Sequence, residues 1–214
     1  TAAALGAVLI ERSVPHMSSL DFGIPFRDPS DSEFFKMLLP PWVKEIYAAE
    51  AAGKPSLVFF DEITRYQDRE TGSALFGFVG DRTLFGKKLP KDCHIMAACN
   101  PDNGDYAVNT IMTDPAWRRR LRHAEVTVCA AGWLRHAREE KFHPWVTDFV
   151  TSNIDLLLDE KARNAGKVFA SPAAWEGVST YLKSNEDSLY LTALASYVGY
   201  SVAMGRNQLT DTRP

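Results

Sequence analysis

One run of residues constrains the fold of this chain more than any other. Four apolar residues, 57–60, are followed directly by Asp61 and Glu62. Continuous rather than alternating hydrophobicity is typical of a strand buried on both faces, as in a parallel sheet covered by helices. Open α/β sheets bind ligands at the carboxyl ends of their strands, which is where these acids lie. The run predicts an α/β fold with a strand over 56–60 and an acidic ligand site; a chance acidic turn after a strand is the plainer alternative.

A second apolar run, 94–99, ends in Asn100 and is the next strand along the chain apart from a hairpin-like segment. Parallel strands joined by a crossover bring their carboxyl ends together, so Asn100 is expected beside Asp61 and Glu62. In such a site one acid suits Mg²⁺, often through water, while the next polarises an attacking water. An amide there can orient water or contact a γ-phosphate without adding charge. The alternative is an Asn-Pro turn, which is common after strands.

A short predicted helix, 114–122, carries four arginines: Arg118, Arg119, Arg120 and Arg122. A guanidinium group matches phosphate bidentately, so one interpretation is a phosphate-directed arginine. A nucleic-acid contact and a solvated basic helix are the other two. The formal net charge of −3, from 24 basic and 27 acidic residues, argues against a protein whose main task is to coat nucleic acid.

The remaining patterns predict an α/β region up to about residue 130 and an all-helical region after it. Predicted helices cover 2–12, 33–39, 42–52, 68–79, 114–122, 132–140, 145–153, 172–183 and 189–204, and predicted strands cover 14–20 and 125–128, with a β-hairpin within 80–92. A long polar loop, 102–113, lies between the second strand and the basic helix, and such loops often serve function. We therefore expect two domains, 1–130 and 131–214.

The composition predicts a protein of the cytoplasm. Of the 214 residues, 45% are hydrophobic, enough for one full core and a small second domain. The three cysteines form no CxxC pair, which predicts reduced thiols and no structural zinc site. The longest uncharged run, 188–205, has 18 residues that include several Ser, Thr and Tyr, and it falls short of the roughly 20 apolar residues of a membrane span.

Taken in order, these segments resemble the AAA+ ATPases, and most closely their MoxR-like branch. Residues 57–62 resemble the Walker B strand of the family, and residues 97–101 (AACNP) resemble its sensor 1 strand. Residues 114–121 (DPAWRRRL) are similar to the segment that carries the arginine finger. Residues 74–90 resemble the β-hairpin insert of the branch, and residues 21–25 (DFGIP) resemble the stretch after its second strand. Residues 130–204 would then form the helical lid. The resemblance covers nearly the whole chain.

The resemblance implies a P-loop NTPase-type parallel sheet flanked by helices, a C-terminal all-helical lid and hydrolysis of ATP. Asp61 would serve Mg²⁺, Glu62 would activate water and Asn100 would sense the γ-phosphate. Arg120, with Arg119 as the alternative, would reach the nucleotide of a neighbouring subunit, which requires a ring, commonly a hexamer. Family members remodel partner proteins or load metal onto them, so a protein client is implied.

Two rival functions remain open beside this one. The first is a catalytically silent assembly or scaffold protein that keeps the AAA+ fold and the ring surface. The second is a nucleic-acid-binding module that uses the arginines of 118–122. Neither would need Glu62 to activate water, so ATP turnover separates both from the enzyme.

Two features of the sequence depart from the family. A Walker A loop, GxxxxGK[ST], is absent from the 214 residues, because the nearest segment, 80–88, has five residues between its glycines and no hydroxyl after its lysine. The favoured interpretation makes Thr1 the hydroxyl residue of a Walker A loop, serving Mg²⁺ and the nucleotide, whose glycines and lysine precede it; the other is a protein that has lost the loop. Where family members often carry a sensor 2 arginine after Ser-Pro, this chain has Ala173. Either Arg163 or Lys167 substitutes for it, or the lid is weakly coupled to the nucleotide.

Overall fold

The chain folds into two units, Thr1–Ala124 and Glu125–Pro214. A computed structural model describes residues 2–28, 30, 35–100, 114–184 and 191–205. Thr1 and the predicted loop 102–113 lie outside the described residues.

The first unit is built on a three-stranded parallel sheet flanked by helices, so the fold is of the α/β type. The strands, in the spatial order β1-β4-β7, are β1 (Val8–Ser13), β4 (Ser56–Asp61) and β7 (Cys93–Ala97). The central strand β4 buries Val58 and Phe60 completely, as its continuous hydrophobicity predicts. The strands predicted at 56–60 and 94–99 are confirmed.

Helix α1 (Pro41–Ala51) packs on this sheet through Trp42, which is 4% exposed. The ring centroids of Phe22, Phe60 and Phe78 lie 6.1, 6.2 and 5.3 Å from that of Trp42. The Trp42 indole N–H donates to the backbone carbonyl of Asp21 at 2.8 Å, so the one polar atom of this side chain is satisfied within the core. The helix predicted at 42–52 is confirmed.

Helix α2 (Arg69–Phe76) follows the central strand and continues as a π-helical turn, Gly77–Asp81. Its N-terminus is capped by Asp68, whose carboxylate accepts a hydrogen bond from the backbone N–H of Thr71 at 2.7 Å. The predicted helix 68–79 therefore exists, but its last turn is wider than an α-helix because of the π-helical geometry.

Two antiparallel hairpins accompany the sheet. The first joins β2 (Ile24–Arg27) to β3 (Phe35–Leu38), and the second joins β5 (Thr83–Leu84) to β6 (Lys87–Lys88). The second turns at Phe85 and Gly86, with φ values of 47° and 79°, the left-handed pair that a two-residue hairpin loop requires. The hairpin predicted within 80–92 is confirmed.

Asp28, just after β2, is a buried carboxylate held by Lys36 and Ser30. The Lys36 ammonium lies 2.6 Å away, and the Ser30 backbone N–H and hydroxyl donate at 2.9 and 2.6 Å. The hydrogen bond from Lys36, and after it those from Ser30, lowers the pKa of Asp28 from 3.8 to about 2. The folded protein therefore binds a proton at Asp28 more weakly than the unfolded chain does. Ionised Asp28 stabilises the folded state above pH 3.8, and this stabilisation is lost as the pH falls toward about 2.

We expect Asp28→Asn to remove this part of the pH dependence of stability. Thermal unfolding followed by circular dichroism, from about pH 5 down to about pH 2, measures it. The melting temperature of the wild type should fall more steeply across this range than that of Asp28→Asn. Parallel curves for the two proteins would contradict the assignment.

Three predictions near the N-terminus are wrong. Residues 2–12 are not a helix: a 3₁₀ turn, Ala3–Leu5, precedes strand β1. Six paired positions against β4 and the β-branched residues of this segment outweigh its Ala-rich start. The strand predicted at 14–20 is a pair of 3₁₀ turns, since Pro15 has no N–H for a ladder and Ser18 and Asp21 form a capping box. In the predicted helix 33–39, the described residues form strand β3.

Three later predictions also differ from the structure. Residues 125–128 form no strand, and Val126 is 93% exposed, because no strand among the described residues lies alongside to complete a ladder. The helix predicted at 189–204 is two helices, broken at Gly199, whose φ of 85° suits glycine. The basic helix predicted at 114–122 is shorter, with α3 spanning Pro115–Arg118.

The second unit is helical throughout its described secondary structure. Its helices are α4 (Ala130–Glu139), α5 (Pro144–Ser152), α6 (Glu160–Asn164), α7 (Pro172–Ser184), α8 (Leu191–Val198) and α9 (Tyr200–Gly205), with a 3₁₀ turn at Ile154–Leu156. Trp175 is fully buried at the centre, and its indole N–H donates to the Leu156 carbonyl at 2.9 Å. Ser171 caps α7 by accepting from the Ala174 N–H at 3.2 Å, as predicted. No described helix in either unit has the length and apolar character needed to cross a membrane.

Candidate functional site

The carboxyl ends of the three parallel strands meet at one edge of the sheet. In register, Ser13 at the end of β1 lies opposite Asp61 at the end of β4, and Phe60 lies opposite Ala97 at the end of β7. The backbone N–H of Ala98 donates to the Phe60 carbonyl at 2.9 Å, so the pairing continues past β7. The segment that carries Asn100 is thereby fixed to the end of the strand that carries the acid pair.

Glu62 turns the chain sharply at the end of β4. Its φ is 53°, a left-handed conformation that costs a non-glycine residue about 1–2 kcal/mol. Two backbone hydrogen bonds hold the turn: Arg65 N–H donates to the Glu62 carbonyl at 2.8 Å, and Ile63 N–H donates to the Ala98 carbonyl at 3.0 Å. Ile63 is also buried in the core. The surrounding structure therefore imposes this strained position, which is common at functional sites.

Asn100 and Glu62 are in direct contact. The Asn100 side-chain N–H₂ donates to both carboxylate oxygens of Glu62, at 3.1 and 3.3 Å. The Glu62 side chain is 28% exposed, so the carboxylate is held on one side and open to solvent on the other. The prediction that parallel pairing brings Asn100 beside the acid pair is confirmed for Glu62, whereas no described hydrogen bond joins Asn100 to Asp61. The catalytic roles of these residues stay predictions.

Arg65 is a third member of this cluster that the sequence analysis missed. Its guanidinium Nε lies 3.4 Å from a Glu62 carboxylate oxygen, and its side chain is 39% exposed. The signal available in the sequence was an acid and a base three positions apart in the turn that follows a strand. Asn100 thus holds the Glu62 carboxylate by hydrogen bonds, and Arg65 adds an ion pair to it.

Cys99 precedes Asn100 in the chain and is an exposed residue. Partial burial of its thiol, and then the negative charge of Glu62, raise the pKa of Cys99 above its usual value. A thiol is a poor nucleophile compared with its thiolate. The raised pKa therefore disfavours the reactive thiolate form of Cys99.

Asp61 fits a Mg²⁺ ion that arrives with phosphates. Its carboxylate is exposed at the end of β4, adjacent in the chain to Glu62. Within the described ranges, no group of three or more His, Cys, Asp and Glu residues is placed to hold a metal ion. Mg²⁺ usually keeps several waters and takes one or two carboxylates together with substrate phosphates, so a single accessible aspartate suits it. Thr1, the other predicted ligand, lies outside the described residues.

Arg120 is held by three groups of its own chain. Its guanidinium carbon lies 4.3 Å from the centroid of the Phe76 ring, one nitrogen lies 3.4 Å from Asp81, and another donates to the Ala116 carbonyl at 3.1 Å. Arg120 makes no described hydrogen bond or ion pair to Glu62. The contacts described for Arg120 are therefore separate from those that join Glu62 to Asn100 and Arg65.

The other arginines of this cluster are exposed, as Arg120 is. Arg118 is the last residue of α3, Arg119 follows it, and Arg122 lies beyond the helix. Asp114 caps the N-terminus of α3, because its carboxylate accepts a hydrogen bond from the Ala116 N–H at 2.8 Å. Arg120 is the arginine of this cluster whose described contacts include an aromatic ring, a carboxylate and a backbone carbonyl.

The two candidates for the sensor 2 cation lie in the second unit. Arg163 is in α6, and Lys167 follows that helix. Their role remains a prediction.

Compared with known proteins, the chain matches no protein-family model and no curated protein.

Proposed function

We propose that the protein is a MoxR-like AAA+ ATPase that binds ATP with Mg²⁺ at subunit interfaces and uses its hydrolysis to remodel a protein client. The observation that carries the proposal is the pair of hydrogen bonds from Asn100 to Glu62 at the carboxyl edge of a parallel sheet. Under this proposal the sheet is of the P-loop NTPase type, and the helical second unit is the lid.

The side chains at this edge divide the chemistry between them. Glu62 accepts a proton from a water molecule, whose oxygen then attacks the γ-phosphorus of ATP. The bond between that phosphorus and the bridging oxygen breaks, and ADP leaves with the bonding electrons. Asn100 and Arg65 keep the Glu62 carboxylate oriented toward the water. Asp61 would hold Mg²⁺, which when bound neutralises charge on the β- and γ-phosphates.

The first test is ATP turnover by the protein expressed from its complete open reading frame. That source matters because the 214 residues contain no Walker A sequence. We expect orthophosphate release from ATP that stops when EDTA removes Mg²⁺ and returns when Mg²⁺ is restored. No turnover by the wild-type protein would overturn the proposal and favour the silent scaffold.

Asn100 supplies a second prediction with a distinctive pH signature. Asn100→Asp places another carboxylate where the amide donates to Glu62 at 3.1 Å. Two carboxylates this close retain a shared proton to higher pH, so the acid limb of the kcat profile should move to higher pH. Asn100→Ala removes the donor without adding charge, and we expect kcat to fall about 10²-fold with no such movement. Identical pH profiles for the two variants would contradict the orienting role.

A further inference from the structure

Gly80 makes room for the side chain of Arg120. A Cβ at position 80 would overlap Cδ and Nε of Arg120. The φ of Gly80 is not positive, so the backbone there does not itself require glycine. Gly77 in the same π-helical turn is different, because a Cβ there would meet nothing closer than the Thr83 carbonyl oxygen, at 3.9 Å. The lack of a side chain at Gly80 is thus tied specifically to Arg120.

Phe76 forms the other wall of this space. Its ring faces the Arg120 guanidinium, at 4.3 Å from centroid to Cζ. The ring is itself fixed edge-on against Trp117, which is 5.0 Å away between centroids and buried. Because Phe76 and Gly80 are four positions apart on one helical segment, they present one continuous surface to the arginine.

Asp81 contributes less to holding Arg120. Its carboxylate lies 3.4 Å from the guanidinium, but its side chain is 57% exposed. Exposed ion pairs contribute little in water because solvent screens them. The position of Arg120 is therefore set by the surface that Phe76 and Gly80 form, together with the hydrogen bond that its guanidinium donates to the Ala116 carbonyl at 3.1 Å.

We propose that Phe76 and Gly80 form a seat that positions Arg120 for the nucleotide bound by a neighbouring subunit. This inference rests on the proposed function, in which Arg120 acts across a subunit boundary. An arginine side chain has many rotamers, and fixing it in advance removes the entropy that would otherwise be lost in the transition state. Phe76 and Gly80 are positioning residues, since they act through Arg120 and not on the phosphates.

The first experiment compares Gly80→Ala with Gly77→Ala in the intact, oligomeric protein. Both substitutions add one methyl group to the same π-helical turn, but only the first displaces Arg120. We expect Gly80→Ala to lower kcat for ATP hydrolysis about 10- to 100-fold with KM changed less than about threefold, because misplacement of a transition-state group affects kcat. Gly77→Ala should retain the kcat of the wild type. Equal kcat values for the two variants, or a change mainly in KM, would contradict the proposal that Phe76 and Gly80 position Arg120.

Two further variants separate shape from charge. Phe76→Leu removes the aromatic face while keeping an apolar side chain, and it should lower kcat in the same direction as Gly80→Ala. Asp81→Asn removes the charge of the exposed ion pair, and we expect kcat to stay within about twofold. A larger fall in kcat for Asp81→Asn than for Phe76→Leu would contradict the proposal that the surface formed by Phe76 and Gly80, and not the charge of Asp81, positions Arg120.

The second readout does not depend on ATP hydrolysis. A dicarbonyl reagent that modifies arginine is applied to the same assembled proteins without nucleotide, and the modification of Arg120 is followed by peptide mass spectrometry. We expect Arg120 to react several-fold faster in Gly80→Ala than in the wild type or Gly77→Ala, since the displaced guanidinium leaves the Phe76 ring. Equal modification rates for Arg120 in Gly80→Ala, Gly77→Ala and the wild type would contradict the positioning role of Phe76 and Gly80, whether or not the protein hydrolyses ATP. Absence of ATP turnover in the wild type would contradict the proposed ATPase function, and the modification rates would still test the positioning role.

Discussion

Glu62→Gln is expected to abolish most ATP turnover, with a loss in kcat of about 10²- to 10⁴-fold. The amide has the size of the carboxylate, and its carbonyl oxygen can still accept the hydrogen bond from Asn100 that the structure shows at 3.1 Å. It cannot take up the proton of the attacking water. The variant should therefore fold, assemble and bind ATP, yet stall before the chemical step.

The measurement combines steady-state orthophosphate release with a binding assay that uses a fluorescent ATP analogue. Glu45→Gln is the matched control, since it makes the same chemical change on the exposed face of α1. Its kcat should equal that of the wild type. Unchanged turnover in Glu62→Gln would remove Glu62 from the mechanism, and loss of nucleotide binding together with turnover would indicate a structural role instead.

The part of the site that is readable from the sequence is the part set by strand topology. Parallel neighbours must bring their carboxyl ends together, so the positions of Glu62 and Asn100 at the ends of two apolar runs were sufficient to predict their contact. Continuous hydrophobicity predicted both strands. The expectation of a buried strand holds for β4, whereas in β7 Met96 is 56% exposed. Neither inference needed knowledge of side-chain conformation.

Predictions failed where the structure of a segment depends on its neighbours. Residues 2–12 contain an apolar stripe at helical spacing, but pairing of Val8–Ser13 with β4 makes most of this segment a strand. Residues 125–128 have the composition of a buried strand and remain outside any described sheet. Single-segment propensity decides neither case, since sheet formation is a property of pairs of strands.

The finer features of the site depend on local backbone geometry that no sequence pattern encodes. The left-handed conformation of Glu62, with φ of 53°, directs its side chain, and a glutamate is an unusual residue to find there. The π-helical turn after α2 places Gly80 under Arg120, although the periodicity predicts an ordinary helix. Arg65 joins the cluster because the tight turn at Glu62 brings two residues three positions apart into contact. Their spacing is visible in the sequence, but the turn that brings them together is not.

Arg120→Ala is the other substitution with a large expected effect. A guanidinium that stabilises the transition state from a neighbouring subunit contributes about 10³- to 10⁵-fold to the rate of phosphoryl transfer, so we expect a loss of this size in kcat. Nucleotide binding should persist, because the described contacts of Arg120 are with Phe76, Asp81 and Ala116 and not with Glu62. Arg119→Ala tests the alternative finger, and Arg122→Ala serves as the control from the same exposed cluster.

Mixing two inactive variants decides whether the arginine acts across a subunit boundary. In oligomers formed from Arg120→Ala and Glu62→Gln subunits, some interfaces combine an intact Glu62 from the first with an intact Arg120 from the second. We therefore expect turnover to reappear on co-expression and to vary with the ratio of the two subunits. No recovery, in oligomers shown by mass spectrometry to contain both subunits, would place Arg120 in its own subunit's chemistry or outside it. Salt-sensitive DNA binding that is lost in Arg118→Ala and Arg122→Ala, with hydrolysis intact, would assign the arginine cluster to nucleic acid instead.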